Sequence, residues 1–172
     1  MTESPAPSAD PFHPPADLLP TLFAHQLEYV GQLAEEASAH SDPWTGLTTF
    51  LESILELQAE YRGLIEYMAG PQGEQRAGTS TARLTPVVAE LLARARASGQ
   101  VRRDVTVHDV ALVPVMVGAV LERCRDTGPA DTWRRMLALL LDGFRTAGTS
   151  LPGRPLEAGE LHRVLSSAVA RA

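Results

Sequence analysis

Val110-Ala111-Leu112-Val113-Pro114-Val115-Met116-Val117-Gly118-Ala119-Val120-Leu121 runs without a charge or a strongly polar side chain. Wound as a helix, such a segment shows an apolar surface on every side and has no face suited to water. It is too short to cross a bilayer, spanning about 18 Å against about 30 Å of hydrocarbon. Two solutions remain. The helix is central in one subunit, or it gives one face to its own core and the other to a partner chain. The following segment tips the balance. Trp133, Met136, Leu137, Leu140, Leu141 and Phe144 form a continuous helical stripe, which Ala138 and Leu139 broaden. Two neighbouring helices, each wider in apolar surface than one core needs, point to a two-fold packing of four helices. The expected homodimer interface is Val113, Val117, Val120, Leu121, Trp133, Met136, Leu137, Leu140, Leu141 and Phe144, with Gly118 and Ala119 permitting close approach of backbones.

Working towards the N-terminus, every other periodic segment is also helical. Leu19, Leu22, Phe23, Gln26, Val30, Leu33 and Ala37 recur at three- and four-residue steps and predict a helix to about Ala39. Asp42-Pro43 is a helix start, with a capping carboxylate and a proline in the first position. The stripe Trp44, Leu47, Leu51, Ile54, Leu55 and Gln58 carries that helix to about Tyr61. A short helical piece is expected over 62–69, and a mobile loop from Gly70 to Gly78. Leu84, Val88, Leu91, Leu92 and Ala95 mark another helix from about Thr81 to Ser98, with Pro86 either splitting or kinking its first turn. Thr106 and Asp109 have capping-box spacing ahead of the apolar segment. That helix is expected to run to about Asp126, ahead of Gly128-Pro129. No strand pattern and no repeat occurs. The fold class is all-α, an antiparallel bundle of about six main helices. The divisions are a Pro-rich disordered tail over 1–16, a helical ligand-binding and dimerisation domain over 17–148, and a linker with a short C-terminal helix over 149–172.

The composition narrows the function. At 172 residues and 44% hydrophobic side chains, one domain with a full core is expected. Net charge is -6 and every basic residue is Arg. An acidic chain grips phosphates poorly, since each contact needs a cation to displace counterions. Direct nucleic-acid binding and membrane insertion are therefore not expected. A lone cysteine, Cys124, forms no internal disulfide, and the first residues carry no signal-peptide pattern, so the location is read as cytoplasmic.

Catalytic and metal-site patterns are wanting. Glu52, Glu56 and Glu60 stack at four-residue steps but read as a solvated acidic face. No two of the five histidines stand four apart, as a zinc-binding helix would require. No nucleophile-elbow or phosphate-loop pattern occurs. No enzyme activity, metal or cofactor is expected. His25 and Tyr29 lie one turn apart beside the first apolar stripe, and read more readily as a structural pair than as a ligand contact. Arg123 is either an anchor for an anionic ligand or an ion-pair partner of its acidic neighbours. Trp44, Phe50, Tyr67, Met68 and Met116 could line an apolar pocket, with Gln58 and Arg123 as polar fixtures. Each reads more readily as core than as ligand contact.

Three segments together resemble the regulatory domain of the TetR family, in particular its SbtR-like branch. Asp42-Pro43-Trp44, with Leu47, Phe50 and Leu51, resembles the start of that family's fifth helix. Gly99-x-Val101-Arg102-x-Asp104-Val105-Thr106-x-x-Asp109-Val110 resembles the turn into its eighth. Phe12, Leu18, Leu19, Leu22 and Phe23 resemble the join into its fourth. The resemblance implies a homodimer held by a four-helix core, a pocket enclosed by the second to fifth helical segments for a small, largely apolar effector, and a first helix that relays occupancy to a DNA-reading head. A helix-turn-helix needs packed helices. The sixteen residues before Asp17 hold five prolines and no Arg. The reading is a TetR-type transcriptional regulator reduced to its effector-binding, homodimerising domain, without autonomous DNA binding. It could pair with a full-length TetR-family relative. A full-length repressor with a misassigned start, or a non-regulatory helical binding protein or enzyme, stays open.

Overall fold

The computed structural model describes residues 19–61, 73–145 and 148–169, and within them finds six helices and no strand. They are α1 (Leu19–Ala39), α2 (Pro43–Glu60), α3 (Gly73–Ala97), α4 (Val107–Cys124), α5 (Thr132–Arg145) and α6 (Ala158–Val169). The tail over 1–16 and the expected helical piece over 62–69 lie outside the described residues.

Helix ends follow the local chemistry. Asp42 accepts the Thr45 amide at 3.2 Å and Pro43 occupies the first turn of α2. At α4 the capping box is closed both ways: Thr106 Oγ1 accepts the Asp109 amide, and Asp109 Oδ2 accepts the Thr106 amide. α4 ends at Cys124, about two residues short of the expected stop. The largest departure is at α3, which starts at Gly73 and passes unbroken through Gly78 and Pro86. A glycine inside a helix costs only about 1 kcal/mol relative to Ala, and Glu74, Gln75, Arg76 and Ala77 around it are good or tolerated helix formers. Glycine content alone overstated the loop.

The core lies where α2, α3 and α4 meet. Leu47, Leu51 and Leu55 of α2, Leu91 and Leu92 of α3, and Val110, Val113 and Val117 of α4 are all sealed from solvent. α1 packs on α2 and α3, α5 packs on α4, and α6 lies across α3 and α4. Two arginines stitch the bundle by occupying helix-end carbonyls that have no partner within their own helix. Arg94 of α3 donates to Ser38 and His40 oxygens at 2.7 and 2.8 Å, closing the end of α1. Arg125 donates to the Ala59 oxygen at 3.0 Å, closing α2, and pairs with Glu122.

The apolar helix that decided the fold divides into two faces. Val110, Val113, Val117 and Leu121 point into the subunit, as do Trp133, Leu137 and Leu141 of α5. Of the residues expected at the interface, Val113, Val117, Leu121, Trp133, Leu137 and Leu141 are buried within the subunit, whereas Val120, Met136, Leu140 and Phe144 are half-buried. The outward apolar side chains are Met116, 44% exposed, and Leu139, 58% exposed. Gly118 also turns inward. A Cβ there would come within 2.7 Å of Gln58 Oε1, the rotatable end of a side chain on α2.

Two outcomes follow. Gly46 sits where a Cβ would meet the Ala37 carbonyl oxygen at 2.5 Å, backbone that cannot rotate away. Gly46→Ala should therefore destabilise the fold by about 1–3 kcal/mol in denaturant titration, against its better helix propensity. Asp42 also accepts Gln100 Nε2 at 2.6 Å, and hydrogen bonds from Thr45 and Gln100 hold its carboxyl down at about 2. Its folded value lies below the ordinary 3.8, so its contribution is complete above that pH and disappears as pH falls through about 2. Asp42→Ala should melt lower than the parent at neutral pH, and the two melting curves should converge towards pH 2.

Candidate functional site

Three of the first helix's side chains, His25, Gln26 and Tyr29, face Ser53, Glu56, Leu57, Glu60 and Tyr61 of α2 and its end across a cleft of about 330 Å³. That volume is at the lower end of the range that small-molecule sites occupy, about 300–1,000 Å³. The helical period explains the grouping. Positions 25, 26 and 29 share one side of α1, and 53, 56, 57, 60 and 61 share one side of α2.

Gln26 is the unusual member. It interrupts the apolar stripe of α1 and is 7% exposed, yet its Oε1 has no hydrogen-bond donor. A buried acceptor left alone costs about 1–3 kcal/mol. Around it, Glu56 is engaged by Arg134 of α5 at 2.8 Å, and both side chains are more than half exposed, so that pair contributes little stability. Glu60 has no ion-pair partner among the described residues. Among the described residues no Arg lines the cleft. The lining is rich in acceptors, and Leu57 with the faces of Tyr29 and Tyr61 supplies its apolar surface.

None of the five described residues expected to bind ligand lies here. Trp44 and Phe50 are buried in the core, and Trp44 carries Arg145 over its ring at 5.5 Å. Gln58 packs against Gly118, while Met116 and Arg123 stand on exposed positions of α4. Tyr67 and Met68 lie outside the described residues. The polar lining departs from the apolar pocket that was expected. His25 and Tyr29, read as a structural pair, both line the cleft, as do two of the three stacked glutamates. The signal that could have found the site was Gln26 itself, a buried amide on an otherwise apolar stripe.

Two other hollows are weaker candidates. One of about 140 Å³ holds half-buried Cys124 between Leu121, Arg125 and Trp133, and Arg125 is already committed to the end of α2. A broader one of about 570 Å³ is bordered by Arg96, Arg102, Arg103 and Arg145. Here Arg102 is held by Asp104 at 2.6 Å and by the Thr149 carbonyl, and Arg96 by the Val105 carbonyl. The hollow adjoins the C-terminal ends of α3 and α5, where the helix dipole favours cations and disfavours anions. Among the described residues no cluster of three potential metal ligands occurs, and no helix is long and apolar enough to cross a membrane.

Comparison with curated proteins returns no match. The model of the family described as transcriptional regulator SbtR-like, C-terminal domain, matches residues 42–146, more than half of the chain and the whole of α2 to α5. α1, which supplies one wall of the cleft, precedes the matched region. An all-helical bundle with this match points to a regulatory domain. The chain belongs to the SbtR-like transcriptional regulators of the TetR family, and residues 42–146 are their C-terminal domain.

Proposed function

We propose that this chain forms the effector-binding and dimerising half of a TetR-type transcriptional regulator, with the effector entering the α1–α2 cleft. The observation that carries the reading is the Gln26 Oε1 acceptor, buried in the cleft wall without a donor. A group held at a stability cost beside a hollow of ligand size is what a pre-organised binding site looks like.

The cleft is placed to convert occupancy into movement. α1 is pinned near its C-terminal end, where Arg94 holds the Ser38 and His40 carbonyls and Gly46 lets α2 approach. The cleft lies towards the other end, at His25 to Tyr29. A ligand wedged there shifts the N-terminal part of α1 about the pinned end, and that part leads to the preceding sequence. Replacing the unpartnered amide tests this directly. Gln26→Leu should raise stability by about 1 kcal/mol, seen as a higher melting temperature, and should remove the thermal shift given by any compound that stabilises the parent. A loss of stability on that change would mean the amide is satisfied, and the reading would lose its support.

For the dimer, the outward faces of α4 and α5 are the surfaces to pair. Met116 and Leu139 are the exposed large apolar residues there, with Ala119 one turn from Met116, Ala138 next to Leu139, and Val120, Met136 and Leu140 half-buried. A second copy of the same face would cover both helices in a four-helix arrangement. Sedimentation should report a dimer. Leu139→Asp should give a folded monomer, because that side chain already faces water in the subunit; Leu137→Asp, at a sealed core position, should unfold the chain. A parent protein that sediments as a monomer at micromolar concentration overturns the pairing.

A further inference from the structure

The outer face of α5 carries charges that fix how a second copy of this chain sits on it, provided that the chain dimerises as proposed above. We infer that the two copies pair α5 against α5 in antiparallel sense, with the two-fold axis crossing between Ala138 and Leu139, so that Arg135 of each copy meets the partner's Asp142.

The helical period puts the necessary groups in one row. Trp133, Leu137 and Leu141 mark the buried side of α5. Arg135, Leu139 and Asp142 follow one another at four and three residues on the opposite side, and all three are exposed. Arg135 and Asp142 stand about 10.5 Å apart along the axis, and their midpoint falls between Ala138 and Leu139. Leu139 has the largest exposure of the big apolar side chains among the described residues. Trp133 shares a hollow with Leu121 and Cys124, which sets the level of α5 against α4. Counting away from there along both helices brings Met116, the outward apolar side chain of α4, to about the level of Leu139. One axis at that level covers both.

Charge then decides the direction. In a parallel pairing of α5 with its copy, each residue faces its own equivalent, Arg against Arg and Asp against Asp, and like charges set together across an interface are costly. Turned antiparallel about the midpoint, Arg135 meets the partner's Asp142 at both edges, and bulky Leu139 lies beside the partner's Ala138. The contact occurs twice, as an isologous interface requires. Arg134 is taken by Glu56 and by the Trp133 ring, whereas Arg135 has no hydrogen bond or ion pair among the described residues. Asp142 has a contact within its own subunit, and a carboxylate, with two oxygens and about four lone-pair sites, accepts a second. Ion pairs at an exposed rim add little stability. Their effect is on register and on the choice of partner.

Sedimentation of the full chain, with charge-swapped variants, tests the register. Arg135→Asp and Asp142→Arg should each weaken the dimer by at least about tenfold, because each sets two like-charge contacts into it. Mixed one to one, these two variants should recover the parent's affinity as a heterodimer, since every contact is again between opposite charges. Native mass spectrometry separates that species from either homodimer. A chain carrying both changes should dimerise like the parent. Glu90→Arg, an exposed reversal on α3, should leave dimerisation unchanged. Both tested positions are exposed, so circular dichroism should show every variant folded. A dimeric parent whose single variants keep its affinity, or whose mixed variants fail to recombine, overturns the antiparallel register and leaves the dimer standing. A parent that is monomeric at micromolar concentration overturns the dimer and the register with it.

Discussion

Burial of the Val110, Val113, Val117 and Leu121 stripe beneath α2, α3, α5 and α6 is the constraint on which the rest of the molecule depends. Each of these side chains is worth about 1.5–3 kcal/mol when removed from water. No other face of α4 offers a comparable row of sealed positions. Once that stripe turns inward, the rotation of the helix is set. Gly118 must then face Gln58, and Met116 must face solvent. The outer apolar strip on α4 and α5 is thus the remainder of a pattern too wide for one interior. A single sequence feature produces both the subunit core and the apolar strip left outside it.

The α1–α2 pair answers to a different balance. Its C-terminal half is close-packed, with Gly46 against the Ala37 carbonyl and Arg94 closing the end of α1. Its other half opens into a cleft lined by His25, Gln26, Tyr29 and the glutamates of α2. A leucine at position 26 would continue the stripe and remove an unpaired acceptor. Keeping an amide there is a local conflict between patterning and burial, and such conflicts are expected at functional sites. The conflict sits on the helix whose N-terminal end leads to the residues preceding the bundle.

Much of the fold was legible because its signals are local. Asp42 with Pro43, and Thr106 with Asp109, specify helix starts through side chains that reach only two or three residues. The stripes on α2, α3 and α4 name their own inward faces. The site was less legible because it is assembled from two helices with separate periods. Glu56 and Glu60 look like an ordinary solvated face until α1 brings Gln26 and Tyr29 opposite them. Trp44 and Phe50 are large and apolar, which suits a pocket and a core alike, and the fold buries both in the core cluster. Arg125, beside the Arg123 that drew attention, closes α2 from a distance in sequence that no pattern could reveal.

Sequence by itself therefore determined that the chain is helical, where most helices begin, and that α4 and α5 carry more apolar surface than one face can hide. Periodicity and capping act over one or two turns, so they can be read without knowing what lies across the interface. Tertiary structure alone decided which apolar side chains stay inside, which remain outside, and which polar groups meet across α1 and α2. Those outcomes depend on the relative rotation of packed helices, a quantity set by many weak contacts at once and written at no single position.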